Sequence, residues 1–577
     1  MSFPKALFAT WAIASSWTAV VADNVAHSSS TSDQVRILAT NGTLHVYNKY
    51  ISPDGFNRSA IVVNGVHPSP LIKAKQGGTF SLNLVNEMKD PTMLRSTSVH
   101  WHGLFQHGAA WADGSESITQ CPVSPGREFL YHFPTGYHPG TFWYHSHFGT
   151  QYCDGLRGPL VVYDDNDPYK DWYDVDDEHT IITLVDWYHT PAPSIVPPAF
   201  ADSTLINGKG RAPGGPNTEL AVVNVKQGKR YRFRLLSLAC ESNFQFSIDG
   251  HRLKVIEADG HLTEPLYVDR LQIFAGQRYS FILKANQPIG NYWIRALPNF
   301  GNNGLTEGLT EGFKDGINSA ILRYAAAPEI EPLALPVSPF VGKQLLESEL
   351  HALHSAKSPG LAHPGGADIN IRLDLGINME AMPPHYTVNN GTFEPPSVPI
   401  LLQIMSGARN AADILPKGGF IPLERNKIVE LTVPGGVVGG PHPFHLHGHA
   451  FSVVKSAGSS TYNFENPVRR DVVNSGEEGE ETVIRFVTDN PGPWIFHCHV
   501  ELHLRMGLAV VFAEDMDSIA HQNASIPAQW HNLCPIYNSL SPEETFVQLI
   551  PPPAAPAEPA PSSVVEPTAE PSATGTQ

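Results

Sequence analysis

The chain has 577 residues and a formal charge of -18 at pH 7, with 38 Lys and Arg against 56 Asp and Glu. That balance argues against a nucleic-acid partner, because binding a polyanion needs clustered cations. The length exceeds what one core usually supports, and 48 Gly, 50 Pro and 41% apolar residues suit many short strands joined by turns.

In chain order, residues 1–22 carry Lys5 and then an apolar stretch ending in Val20, Val21 and Ala22, the layout of a secretory signal peptide. No later stretch is apolar for long enough to span a bilayer, so a secreted protein with no membrane association is expected. In that setting the Asn-x-Ser/Thr sequons at Asn41, Asn57, Asn390 and Asn523 become glycosylation candidates. Alternating runs at 79–85, 180–187, 271–283, 427–433 and 481–488 predict strands, and hence repeated sandwiches or barrels. The stretch from Gly228 to Phe233 echoes that from Gly276 to Phe281, as an internal repeat or two matched strands of one domain would. Links near 163–171 and 325–339 divide the remainder into spans of 23–167, 168–335 and 336–550. Residues 345–367 read as a long loop, and 551–577, rich in Pro, Ala, Ser and Glu, as a disordered tail.

Cys498 stands between His497 and His499. In an extended strand successive side chains point to opposite faces, so the two histidines share one face and Cys498 takes the other. His-x-His recurs at His100/His102, His145/His147 and His445/His447. Each such pair projects its imidazoles the same way, roughly 6–7 Å apart. Eight imidazoles exceed the needs of one tetrahedral ion, which implies a cluster of two or three ions. His442, Cys498 and His503 offer two imidazoles and a thiolate, the trigonal donor set of a blue copper centre. Zinc accepts the same donors, but a strand joining a thiolate site to an imidazole cluster has a use only if electrons move. With Cys498 a ligand, the other four cysteines suit two disulfides, with three pairings open.

The segments His100-Trp101-His102-Gly103, Trp143-Tyr144-His145-Ser146-His147, His442-Pro443-Phe444-His445-Leu446-His447 and His497-Cys498-His499-Val500-Glu501-Leu502-His503 resemble the four signature segments of the multicopper oxidases. Asp186-Trp187-Tyr188, Thr204-Leu205-Ile206-Asn207-Gly208 and the run from Gln151 to Gly158 resemble the secreted fungal laccases within that family. The likeness extends from about residue 51 to about residue 541. It implies an all-β chain of three cupredoxin-like Greek-key barrels or sandwiches holding four copper ions. By position, His442, Cys498 and His503 would hold the type 1 copper, and His100 and His445 the type 2 ion. His102, His145 and His499 would hold one type 3 copper, and His147, His447 and His497 the other. His449 is not a ligand by this match. Leu508 falls at the axial position of the type 1 site, where it cannot coordinate, and Met506 reads as packing. The resemblance also implies the disulfides Cys121 with Cys534 and Cys153 with Cys240.

The implied reaction is one-electron oxidation of phenols or aromatic amines coupled to four-electron reduction of O2 to water, by a monomer. Asp113 matches a family acid near the cluster and is the candidate for proton supply, although an aspartate before Gly114 also suits a turn. Glu241 falls where relatives place a carboxylate at the substrate mouth, able to accept the phenolic proton as the electron leaves. His503 should present an edge to the substrate, with Phe200 and Phe300 as apolar walls. The alternatives are a ferroxidase, an ascorbate oxidase and, from another class, a non-enzymatic copper or zinc carrier. Lignin degradation, pigment formation and detoxification would all use the same residues. A Gly-Leu-Thr-Glu duplication at 304–313 reads as an insertion in a loop after Phe300.

Overall fold

In strand Thr79–Asn86 the residues Phe80, Leu82 and Leu84 are buried while Thr79, Ser81 and Asn83 face outward, so a period of two orients a whole strand on its core. The computed structural model describes residues 37–301, 312–333, 342–354, 357–415, 418–519 and 526–549. Within residues 37–163, one sheet runs Ile37–Leu38, Leu71–Lys75, Arg157–Tyr163, Gly140–Ser146, Val99–His102. A second sheet there runs Arg58–Val63, Asn41–Ile51, Thr79–Asn86, Glu128–Pro134. Residues 181–324 form a seven-stranded and a five-stranded sheet, and residues 369–514 form two five-stranded sheets and a two-stranded ribbon. Spatial neighbours are often distant in sequence, as Greek-key crossovers require. Helices are short, the longest among the described residues being Ala528–Asn538, and none is long and apolar enough to cross a membrane.

The apolar cores run across the seams between these spans. Phe233 and Phe281 of the second span share a cluster with Phe444, Phe496 and Cys498 of the third, while Phe80 and Trp101 of the first share one with Ile495, Val511 and Trp530. Trp143 and Val161 pack with Trp187 and Leu236 in a third. Two disulfides, Cys121–Cys534 and Cys153–Cys240, cross the same seams, and Cys498 is the free cysteine, as the resemblance implied.

One expected strand divides in two. The run 271–283 forms Arg270–Ile273 and Arg278–Lys284, separated by a turn in which Gly276 has φ +83°. The echo between Gly228–Phe233 and Gly276–Phe281 comes from paired neighbours, since strand Arg230–Ser237 runs antiparallel to Arg278–Lys284 with Phe233 opposite Phe281. Residues of the long loop are fastened by buried cations: Arg470 pairs with Glu347, and Arg485 donates to the carbonyls of Pro359, Leu361 and His363. Asn41, Asn57 and Asn390 are exposed. The signal peptide, the C-terminal tail, Asn523 and nearly all of the 304–313 duplication lie outside the described residues.

Candidate metal centre

The strand Gly492–Cys498 is buried along its whole length and pairs with Pro443–Leu446, which sets His445 opposite His497 and Phe444 opposite Cys498. Strand Val99–His102 pairs with Gly140–Ser146, setting His100 opposite His145. Two strand pairs from opposite ends of the chain therefore bring their His-x-His segments together at a seam. Among the described residues, five groups have all their candidate ligand atoms within 4.8 Å of one another: His100/His102/His445, His102/His145/His499, His147/His447/His497, His442/Cys498/His503 and, through a carboxylate, His100/Asp113/His447.

The pleat separates two centres, as the alternation of Cys498 with its neighbours requires. On the thiol face, Cys498 Sγ lies 3.4 Å from His442 Nδ1 and 3.5 Å from His503 Nδ1, with those nitrogens 3.1 Å apart. On the imidazole face, His497 Nε2 lies 3.2 Å from His447 Nε2, His499 Nε2 lies 3.2 Å from His102 Nδ1, and His445 Nε2 lies 3.5 Å from His100 Nε2. His503, in the short helix Glu501–Arg505, is half-buried, whereas His442 is buried. Leu508 is fully buried; its carbonyl accepts from Cys498 N–H at 3.1 Å and its own N–H donates to the His503 carbonyl at 3.0 Å.

The outer hydrogen bonds decide which nitrogen of each ring faces inward. His100 Nδ1 donates to the Asp113 carbonyl at 2.8 Å, His145 Nδ1 to that of Ser146 at 2.9 Å, His445 Nδ1 to that of Asp471 at 2.9 Å and His497 Nδ1 to that of Cys498 at 2.9 Å. His447 Nδ1 donates to Asp113 Oδ2 at 2.9 Å, and His499 Nδ1 to the Tyr152 hydroxyl at 3.3 Å. Each leaves Nε2 with a free lone pair. His102 is reversed: its Nε2 meets Asp471 Oδ1 at 3.2 Å, which turns Nδ1 inward. On the thiol face His442 Nε2 donates to the Val437 carbonyl at 3.2 Å, freeing Nδ1.

These donors fit copper. Lone pairs aimed at one another across 3.1–3.5 Å repel unless a cation lies between them, and His145 Nε2 and His147 Nε2 are buried without a hydrogen-bond partner. Burial, reinforced by neighbouring imidazoles, holds His102, His145, His445, His447 and His497 well below the usual histidine range, so they are neutral and able to coordinate. Burial also pushes the Cys498 thiol up, so a thiolate there needs a metal cation beside it. One thiolate with two imidazoles matches a blue copper site.

Asp113 sits among these histidines. Its Oδ2 accepts from Ser115 Oγ at 2.6 Å as well as from His447, and Oδ1 lies 3.3 Å from His100 Nδ1. Burial raises its pKa, but the electrostatic influence of the neighbouring imidazoles and the hydrogen bond from Ser115 outweigh that and hold it below the usual carboxylate range. Glu241 reaches the other centre: its Oε1 accepts from Leu502 N–H at 2.8 Å, next to His503. The loop carrying it is held by Asp186, whose carboxylate accepts from the backbone N–H groups of Cys240 at 3.0 Å, Glu241 at 2.7 Å and Ser242 at 3.0 Å. Arg157, fully buried, donates to Asp186 Oδ1 at 3.0 Å and makes that buried carboxylate tolerable. Phe200 and Phe300 are 52% and 42% exposed with ring centroids 5.8 Å apart, so neither is core. His449 lies 3.0 Å from Glu514 Oε1 and in none of the donor sets. The backbone carbonyl of Met506 accepts from Tyr386 N–H, and its side chain packs on the core.

Sequence reasoning passed over Asp471, Arg278, Tyr152 and Tyr386. Tyr386 donates its hydroxyl to the Val438 carbonyl at 2.7 Å, with its ring centroid 5.0 Å from that of His503. The available signal for Asp471 was the Arg469-Arg470-Asp471 run between apolar segments, since charges there must be paired in the interior.

Three multicopper oxidase family models match residues 45–167, 178–327 and 393–518. Laccase-2 of Pleurotus ostreatus is 54% identical over 512 residues, covering 87% of this chain and 93% of that protein, and a laccase of Phlebia radiata is 53% identical over 511 residues, covering 88% and 96%. Among solved structures, the laccase of Botrytis aclada aligns with a TM-score of 0.73 at 29% identity, covering 89% of this chain and 94% of that one. Fet3p, described as a multicopper oxidase that functions in iron import, aligns with a TM-score of 0.73 at 27% identity. The chain belongs to the multicopper oxidase family. Its fold is the all-β cupredoxin type, and its cofactors are four copper ions: one type 1, one type 2 and two type 3.

Proposed function

We infer that in this enzyme, a laccase, the phenol gives up its electron at the His503 edge of the His442/Cys498/His503 site and dioxygen is reduced among the eight histidines on the other face. The observation that carries this reading is the complete set of convergent donors on both faces of one strand. Copper, when bound, supplies the one-electron chemistry that joins phenol oxidation to the reduction of O2 to water. His442, Cys498 and His503 would hold the type 1 ion, and His100 with His445 the type 2 ion. His102, His145 and His499 would hold one type 3 ion, and His147, His447 and His497 its partner. The covalent path from Cys498 to its two neighbours joins the sites. Oxygen consumption on adding a phenol, together with four coppers per chain in the blue protein, tests the reading; a colourless protein with a full metal complement would reject it.

Glu241 would accept the phenolic proton. Burial, with the charges of Asp186 and Glu501 adding, raises its pKa well above the usual range, while the Leu502 N–H opposes this. Its basic form therefore grows as pH rises through that raised value. Glu241→Gln is expected to slow phenol oxidation by about 10²-fold or more and to remove this rising limb of the pH profile. Oxidation of a non-phenolic one-electron donor should change little, and equal losses on both donors would reject the role.

Leu508, whose side chain has no donor atom, would add no ligand to an ion held by His442, Cys498 and His503, and two imidazoles with one thiolate and no further donor favour a high potential. Leu508→Met, which would offer a thioether beside that site, is expected to lower the potential, and a redox titration showing no shift would remove Leu508 from this role.

Domains of 23–167, 168–335 and 336–550 accord with the sheets each span builds. An N-terminal signal peptide at 1–22, secretion as a monomer and glycosylation at the sequons complete the reading. Two disulfides support an oxidising compartment. Aromatic amines would be oxidised at the same edge as phenols.

A further inference from the structure

The middle span supplies none of the copper donors, yet it reaches the cluster. Arg278, on strand Arg278–Lys284, is fully buried and forms a two-pronged ion pair with Asp471, Nη1 to Oδ1 at 2.6 Å and Nη2 to Oδ2 at 2.7 Å. Its remaining reach is spent on the main chain, Nε donating to the Thr141 carbonyl at 3.0 Å and Nη1 to that of Gly276 at 3.2 Å. Asp471 in turn touches two of the histidines. Its Oδ1 meets His102 Nε2 at 3.2 Å and its carbonyl accepts from His445 Nδ1 at 2.9 Å.

Two glycines make room for this arrangement. A Cβ at Gly103 would stand 2.6 Å from Arg278 Nη2 and 2.8 Å from Asp471 Oδ2, and one at Gly276 would stand 2.9 Å from the His499 ring and 3.1 Å from that of His102. The pair is anchored beyond the site as well. Asp259 Oδ1 accepts from Arg278 N–H at 2.8 Å, and its Oδ2 accepts from Arg470 Nε at 2.9 Å.

We propose that Arg278 is a positioning residue of the trinuclear site: its planar fork fixes the Asp471 carboxylate, and that carboxylate imposes on His102 the reversed ring orientation that turns Nδ1 toward the cluster. A carboxylate held by a two-pronged guanidinium has one orientation, whereas one facing a lysine ammonium, a single point charge, can rotate. The proposal rests on the assignment of His102 as a type 3 ligand. It adds a role for the span that contributes no ligand.

The test is Arg278→Lys, which keeps the buried charge beside Asp471 and Asp259, with copper counted per chain after reconstitution of the purified protein. Weakening a partner of a metal ligand typically lowers metal affinity about 10–100-fold, so the variant should bind cluster copper that much more weakly. Its blue type 1 absorption should remain at wild-type strength, because that site lies on the opposite face of the strand. The double variant Arg278→Met/Asp471→Asn, which leaves no lone buried charge, should lose cluster copper likewise while staying folded and blue. Cluster copper affinity and trinuclear electron paramagnetic resonance signals equal to wild type in either variant would overturn the proposal. A wild-type protein lacking either colour or four coppers would instead refute the ligand assignment on which it rests.

Discussion

A Cys498→Ser protein is expected to be colourless and to oxidise no phenol at a measurable rate, while still binding three of its four coppers. The thiol is the one soft donor on its face of strand Gly492–Cys498, and a serine hydroxyl is a hard, weakly acidic oxygen that does not replace a thiolate. The cluster histidines point the other way and keep their outer hydrogen bonds, including His497 Nδ1 to the carbonyl of residue 498, which the substitution retains. Metal analysis, the visible spectrum and oxygen uptake together check this. Retained phenol oxidation at the normal rate would undo the two-faced reading of the strand. Loss of every copper would show that the two faces are not independent.

Asp113→Asn is expected to lower kcat by about 10²–10⁴-fold, the range associated with losing a positioned acid-base group. Asparagine keeps an oxygen able to accept from Ser115 and His447, so copper binding should persist; what is lost is a group that can carry a proton beside His100 and His447. The discriminating measurement is anaerobic reduction of the blue centre by phenol, which should proceed at the wild-type rate because Glu241 and His503 are untouched. Slow reduction in that assay would place the defect at the wrong end of the molecule. An unchanged kcat would return Asp113 to the role of a turn residue.

Much of the centre was legible in the linear sequence because its information is local. His-x-His on an extended strand fixes two imidazoles on one face by the pleat alone, and Cys498 between two histidines fixes a donor on the other. Gly and Pro punctuation and period-two runs were enough for an all-β chain. The run 271–283 failed as a single strand because the turn at Gly276 interrupts it, and that turn exists to bring backbone against the rings of His102 and His499. Disulfide pairing came from family resemblance, not from spacing, and the contact across 413 residues between Cys121 and Cys534 has no local signature.

The sequence by itself determined which residues can bind metal, which side of a strand each occupies, and that the chain is built of short strands. Only the tertiary structure decided how those strands from distant parts of the chain meet, which ring nitrogen each histidine presents, and which charges lie behind them. The nitrogen each ring turns inward follows from hydrogen bonds to Asp113, Asp471 and Tyr152, and Asp471 is itself paired with Arg278 of the middle span. Buried carboxylates and guanidinium groups are stable only as pairs, and the partners are chosen by packing between distant parts of the chain, which no short stretch of sequence encodes.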